Sequence, residues 1–226
     1  MAAMFNNIAT TYDIVNKVSS LGLDDYWRNK IIQRLKKTNA KQLLDIACGT
    51  GAVSWTIYRK LHLEVTGLDL SAQMLHQAEK KRERYAIPNR PTPLFIKGCA
   101  ELLPFANQTF DAVTITFGVR NFENRAKAFQ EIYRVLRPNG HLFILDFATP
   151  KNCLWKLFFH TYFWGILPLF GRIVSGDKNA YRYLPRSVVH FPQYQEFCAE
   201  LSTAGFSMAR SHSFTGGVAV LYTGIR

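Results

Sequence analysis

Short apolar runs alternate with stretches whose apolar residues recur every three or four positions, and this rhythm holds over the first 150 residues. The runs Gln42–Ala47, Leu63–Leu70, Leu94–Lys97, Phe110–Phe117 and His141–Phe147 predict strands. Phe110–Phe117 is almost continuously apolar or Thr, as a strand buried on both faces should be. Between the runs, residues 24–37 predict a helix with Trp27, Ile31, Ile32 and Leu35 on one face. A second helix starts near Gly51 and carries Val53, Trp55, Ile57, Tyr58 and Leu61. Ser71 is a natural N-cap for a third, running to Tyr85. Residues 124–136 predict a fourth, with Ala128, Phe129, Ile132, Tyr133 and Leu136 inward, and Pro138-Asn139-Gly140 is expected to turn the chain into the fifth strand. After residue 150 an aromatic stretch intervenes, then a helix at 192–204 and strands at 206–213 and 217–225. The expectation is one α/β domain over residues 1–226: a mostly parallel seven-stranded sheet, helices on both faces, and an aromatic-rich insertion after the fifth strand.

Composition agrees with a globular domain: 226 residues, 48% hydrophobic and 19% charged. The net charge of +12 suits anionic partners: nucleic acid, acidic lipid headgroups or an anionic substrate. Its plain alternative is a solvated basic surface. The four cysteines, Cys48, Cys99, Cys153 and Cys198, form no C-x-x-C pair, so no zinc site or dithiol chemistry is expected. They read as free thiols in a reducing compartment. The first residues lack a basic n-region and an apolar h-region, so the expected location is cytoplasmic.

Candidate chemistry centres on Asp45-Ile46-Ala47-Cys48-Gly49-Thr50-Gly51, where the first strand meets a helix. Two glycines permit a tight turn and close approach to a ligand. A dinucleotide loop needs a third glycine, and Ser54 stands there instead. Asp45, four residues before Gly49, suits the ammonium of an amino acid. That combination matches the methionine end of S-adenosylmethionine; a ligand-free strand-to-helix turn is the plain alternative. Asp69 ends the second strand, 18 residues after Gly51, where an acid accepts from ribose hydroxyls. Residues 98–105 fall where an adenine wall would lie, with the backbone of Cys99 and Ala100 facing the ring.

Several runs are similar to one known family. They include Phe5-Asn6-Asn7-Ile8-Ala9, Ser20-Leu21-Gly22 with Trp27-Arg28, Leu44 to Gly51, Phe117-Gly118-Val119-Arg120-Asn121, Tyr133 to Gly140, Tyr181-Arg182-Tyr183-Leu184-Pro185 and Phe214-Thr215-Gly216-Gly217-Val218. The chain resembles the quinone-biosynthetic C-methyltransferases, the demethylmenaquinone and ubiquinone methyltransferases. The resemblance implies a Rossmann-like class I methyltransferase fold, with cofactor contacts at Thr50, Asp69, Cys99, Ala100 and Thr116. Cys99 departs from the family, which usually has Asp or Asn there to hold the adenine amino group; a thiol does this poorly.

The implied reaction methylates a ring carbon of a polyprenyl-tailed quinol, with no metal. Arg120, directly after the fourth strand, is the candidate to stabilise phenolate charge. Its plain alternative is an ion pair with an acid such as Glu123. Tyr181 and Tyr183 are candidates to hydrogen-bond the quinol oxygens or merely to pack. Asp13 with Tyr12 is a candidate to close over the cofactor, within a helical lid at 1–37. His160 and His190 are weaker candidate bases. The segment Cys153–Phe170 is rich in aromatics yet too short and too broken to span a bilayer. Inside an insertion at 151–190, it reads as a core helix, a lipophilic tunnel or an interfacial patch flanked by Lys151, Lys156 and Arg172. The expected partners are therefore a lipophilic quinol and, peripherally, the inner membrane face, with a homodimer left open.

A naphthoquinol is the favoured acceptor, and the benzoquinol precursor of ubiquinone is the alternative. Two other classes compete with this reading. A nucleic-acid methyltransferase fits the charge, but no Asn/Asp-Pro-Pro-aromatic run follows the fourth strand, so no nucleic acid is expected. A non-catalytic cofactor-binding protein is supported only by Cys99.

Overall fold

The computed structural model describes residues 6, 9, 12–166 and 185–226. Seven strands form one sheet: β1 Gln42–Ile46, β2 Glu64–Asp69, β3 Leu94–Lys97, β4 Phe110–Thr116, β5 Leu136–Phe147, β6 Ser207–Phe214 and β7 Ala219–Ile225. Their order is β3-β2-β1-β4-β5-β7-β6. The strands β1 to β5 pair in parallel, while β7 runs antiparallel to both β5 and β6. The chain winds outward from β1 in one direction and then, from β4, in the other. Ligands of such sheets bind in the crevice this reversal leaves at the carboxyl ends of the strands.

Side-chain alternation explains the continuous apolar runs. Leu43 of β1 and Phe143 and Leu145 of β5 join one buried cluster, with Trp27, Ile31 and Leu35 of α2 (Asp24–Leu35) and Val53, Trp55 and Ile57 of α3 (Ala52–Lys60). Their strand neighbours Leu44, Leu142 and Ile144 point the other way. They meet Phe129 and Ile132 of a helix at Arg125–Val135 and Phe197 and Leu201 of another at Gln195–Thr203. Both faces are thus covered, as the pattern predicted. A truncation such as Ile144→Ala in this fully buried layer costs about 2–5 kcal/mol.

Some helix starts carry side-chain caps. Ser71 accepts from the Met74 N–H at 3.1 Å and opens the next helix, Ala72–Lys80. The chain breaks there and re-forms a short turn at Arg82–Tyr85, so the predicted single helix to Tyr85 is two. Asn124 caps Arg125–Val135 by accepting from Lys127 N–H at 3.0 Å. In order, the remaining labels are α1 Tyr12–Ser19, α4 Ala72–Lys80, α5 Arg82–Tyr85, α6 Arg125–Val135, α7 Cys153–His160 and α8 Gln195–Thr203.

One expected boundary was wrong. Leu136 is not the inner face of a helix; it starts β5 and pairs with Phe110. Pro138-Asn139-Gly140 does not turn into a new strand but bulges between the Leu136 and His141 pairings. Asn139 there adopts φ 62, and a Cβ on Gly140 would sit 2.7 Å from the Arg137 carbonyl oxygen. The chain end closes the bulge, since Asn139 N–H donates to Arg226 O and Arg226 N–H to Gly140 O, both at 3.0 Å.

The aromatic stretch begins as α7 and continues as a π-helical turn at Thr161–Ile166. Phe159 and Tyr162 are buried, whereas Leu154 (78%), Leu157 (68%) and Phe158 (48%) face solvent. No helix among the described residues is long and apolar enough to cross a membrane. Tyr181 and Tyr183 lie outside the described residues.

Candidate functional site

The carboxyl ends of β1, β2 and β4 open on a cavity of about 740 Å³, within the range of small-molecule sites. Gly49, Asp69, Cys99, Ala100 and Thr116 all line it. Two non-glycine residues at its edge, Ala47 (φ 53) and Phe117 (φ 59), adopt left-handed backbone where β1 and β4 end. Such conformations cost about 1–3 kcal/mol each and concentrate at functional sites. The two loops touch: a Cβ on Gly118 would lie 2.5 Å from that of Ala47.

Gly49 and Gly51 are both left-handed, at φ 56 and φ 70. Only Gly49 faces the cavity. Gly51 lines no described cavity, and its Cβ would meet Phe95 Cζ at 2.9 Å, so its role is to start α3 against β3.

Asp69 is held from both sides. Its Oδ2 accepts from Gly49 N–H and its Oδ1 from Ser71 N–H, each at 2.8 Å. Burial raises its carboxyl pKa, and the two N–H groups oppose this. Each oxygen keeps a lone pair for a further donor, which a ribose diol supplies. Cys99 and Ala100 stand on the cavity wall beyond β3, where adenine is expected.

A second cavity of about 30 Å³ adjoins the first; Tyr12, Ala47, Gly49, Thr116 and Phe117 line both. Asp45 is buried at its edge and accepts from Ser54 hydroxyl at 2.6 Å and Thr114 hydroxyl at 2.8 Å. Burial pushes its pKa up to about 6 against those hydroxyls and the Arg28 charge. Thr116 Oγ1 is buried without a partner among the described residues. Thr50 lines this smaller space rather than the main cavity. Its hydroxyl donates to Asp13 Oδ1 at 2.5 Å, and Lys81 Nζ reaches Asp13 Oδ2 at 2.7 Å and Thr50 O at 2.9 Å. Ser71 hydroxyl donates to Asn6 at 2.5 Å. Asp13 and Asn6 are thus fastened to the β1–α3 loop and the α4 cap respectively. Burial raises the Tyr12 pKa, opposed by its hydrogen bond with Asn16.

Arg120 follows β4 in a short turn at Val119–Asn121. Its expected alternative partner, Glu123, was the wrong acid. The guanidinium instead pairs with Asp146 of β5, and it donates to Phe117 O at 2.8 Å and Ser187 Oγ at 3.3 Å. Arg120 lines neither cavity, although its neighbours Gly118 and Asn121 line the larger. Burial raises the Asp146 pKa and Arg120 opposes this. His160 and His190 are exposed and line neither cavity. No cluster of metal-ligating side chains occurs among the described residues.

Several participants escaped the sequence reading: Lys81, Ser54, Thr114 and Asp146. Only Asp146 carried a local signal, being an acid inside the apolar run Leu142–Phe147, where a charge needs a partner.

The donor set fits an S-adenosyl cofactor: a fixed carboxylate for a diol, an apolar wall for a base, and a polar recess for an amino-acid end. The model of the ubiE/COQ5 methyltransferase family matches residues 1–226. A demethylmenaquinone methyltransferase of Thermus thermophilus is 39% identical over 224 residues, covering 99% of this chain and 100% of its own. A ubiquinone/menaquinone biosynthesis C-methyltransferase of Geotalea daltonii is 37% identical over 223 residues, 98% of this chain and 94% of its own. Among solved structures, a SAM-dependent methyltransferase of Thermotoga maritima, a possible histamine N-methyltransferase, superposes with TM-score 0.67 at 16% identity, covering 100% and 99% of the two chains. The sheet order, the cavity at its switch point and the full-length match place this chain in the ubiE/COQ5 methyltransferase family, with S-adenosylmethionine as its methyl donor.

Proposed function

We propose that this methyltransferase places a methyl group on a ring carbon of a polyprenyl-tailed demethylnaphthoquinol, giving menaquinol. The observation that carries the reading is the near-full-length likeness to the Thermus thermophilus demethylmenaquinone methyltransferase. The Geotalea daltonii relative, whose name covers both quinones, supports the benzoquinol acceptor as the second reading.

When bound, S-adenosylmethionine supplies an electrophilic methyl on a sulfonium. Asp69 would hold its ribose, Cys99 and Ala100 would border its adenine, and Asp45 with Thr116 would face its ammonium. The acceptor ring carbon becomes nucleophilic once its neighbouring hydroxyl loses a proton, and Arg120, behind the cavity-lining Gly118 and Asn121, lends that phenolate its positive field rather than a direct contact. The methyl would pass from the sulfonium sulfur to that ring carbon, leaving S-adenosylhomocysteine, and the displaced ring proton would go to solvent or a base. Phe117, which lines the cavity and is backed by Phe147 stacked 4.6 Å from it, offers an apolar flank for the ring. Asp13 acts in lid closure through Thr50 and Lys81, not on the acceptor.

The exposed Leu154, Leu157 and Phe158 of α7, with Lys151 and Lys156 beside them, form the membrane-facing patch from which a lipophilic quinol enters. The test is methyl transfer from labelled S-adenosylmethionine to reduced, short-tailed demethylnaphthoquinol and to the benzoquinol precursor. A ring-methylated naphthoquinol is expected, and label in neither quinol overturns the reading.

A further inference from the structure

The contacts proposed at Asp69, Cys99, Ala100, Asp45 and Thr116 leave one end of the cofactor without a counterpart. Asp45 and Thr116 suit an ammonium, but nothing yet meets an α-carboxylate. Arg28 of α2 lines the same small cavity as Asp45 and Thr116. Its Nη1 is fixed on Asp24 Oδ2 at 2.7 Å, and Asp24 Oδ1 accepts from Ser20 hydroxyl at 2.9 Å. The helix is itself anchored, because the buried Trp27 donates through Nε1 to Thr215 Oγ1 at 2.9 Å. The guanidinium is therefore oriented before any ligand arrives.

Arg28 Nε is buried and has no hydrogen-bond partner among the described residues. Leaving such a donor unmet costs about 1–3 kcal/mol, and more for a charged group. Thr116 Oγ1, the other unmet atom at this cavity, points to the same missing ligand. A cationic N–H, a free hydroxyl and a buried carboxylate in one recess complement a zwitterion. The recess, about 30 Å³, admits roughly one or two water-sized groups, and it opens on the main cavity through shared residues. A single ligand can place its amino-acid end here and its nucleoside there.

We infer that Arg28 anchors the α-carboxylate of the cofactor, so that the enzyme distinguishes an amino-acid end from a bare amine. A guanidinium edge presents N–H groups with the geometry of a carboxylate, and the bonds are charge-assisted.

The test compares binding, not turnover. Calorimetry measures the affinity of S-adenosylmethionine and of decarboxylated S-adenosylmethionine, which keeps sulfonium and ammonium. Wild type is expected to prefer the carboxylated ligand by about 10- to 100-fold. Arg28→Met is expected to bring that preference below about threefold while leaving the affinity for the decarboxylated ligand unchanged. Arg28→Lys, which keeps the charge and stays closer to the native fold, is expected to retain part of the preference. The inference is overturned if wild type shows no preference, if either folded variant keeps the wild-type ratio, or if Arg28→Met weakens both ligands equally. That last result would make Arg28 a clamp for Asp24 alone.

Discussion

Arg120, on the turn after β4, and Asp146, on β5, form an ion pair sealed from solvent, with side chains 7% and 0% exposed. Asp146 also accepts from Phe147 N–H at 2.8 Å through Oδ1, while its Oδ2 has no partner among the described residues. Removing one member leaves the other charge buried and alone. Arg120→Met is therefore expected to lower stability by about 3–5 kcal/mol. Adding Asp146→Asn removes the stranded charge and restores most of that loss. Chemical denaturation of the single and double variants measures this recovery. Turnover is expected to stay lost in both. Full activity in the double variant would remove the catalytic role of Arg120.

Asp45 sets a pH dependence. Its folded pKa is about 6, above the usual carboxylate value near 3.9. The folded protein therefore holds more protons than the unfolded chain between those values. This group's contribution to stability is full below about pH 4, falls as pH rises through about 6, and is then constant. Wild type minus Asp45→Asn isolates that slope from Asp111 and Glu131, whose pKa values are lowered and whose slopes have the opposite sign. Cofactor affinity runs the other way, because the ammonium needs ionised Asp45. It is expected to fall about tenfold per pH unit below 6 in wild type and to stay level in Asp45→Asn. A level wild-type profile would take Asp45 away from the ammonium.

The contact of Lys81 with Asp13 and Thr50 joins elements far apart in sequence across a half-exposed surface. Such pairs contribute at most about 1 kcal/mol to stability. Lys81→Met is thus expected to leave the melting temperature nearly unchanged, yet to weaken cofactor binding about three- to tenfold by loosening α1. Wild type should lose affinity with added salt, and the variant should lose less.

Cys99 lines the main cavity, on the wall proposed for adenine, with a poor hydrogen-bonding group. Cys99→Asn is expected to tighten S-adenosylhomocysteine binding about fivefold, equivalent to one added hydrogen bond. Calorimetry at one temperature decides it; equal or weaker binding would show that backbone contacts already satisfy the ring.

The α7 patch has a direct test. Flotation with anionic vesicles is expected to recover wild type, and far less of Leu154→Ser/Leu157→Ser/Phe158→Ser, with melting temperatures alike because these side chains are exposed. Equal recovery of both proteins would remove the membrane role of α7.

Much of this molecule is legible in its sequence. The strands are, because two-sided burial writes continuous apolar runs such as Phe110–Thr116. Ser71 is, because a cap is a local matter of one hydroxyl and one N–H three residues on. The β5 bulge is not. Pro138-Asn139-Gly140 has the composition of a turn, and only pairing with β4 and the carboxyl terminus makes it a bulge. The packing of Gly51 is not legible for a related reason: its left-handed φ is foreseeable, but its closeness to Phe95 depends on a strand residue 44 positions further on.

The sequence by itself determined the family, the doubly covered sheet and the position of the cofactor loop, since periodicity, glycine placement and motif spacing are all written locally. Tertiary structure alone decided which polar groups meet. Asp45 finds Ser54 and Thr114, Thr50 turns to Asp13 and Lys81, and Arg120 chooses Asp146 over Glu123. The reason is physical. A buried polar atom must find its partner through space, and sheet register brings together residues that no linear spacing connects.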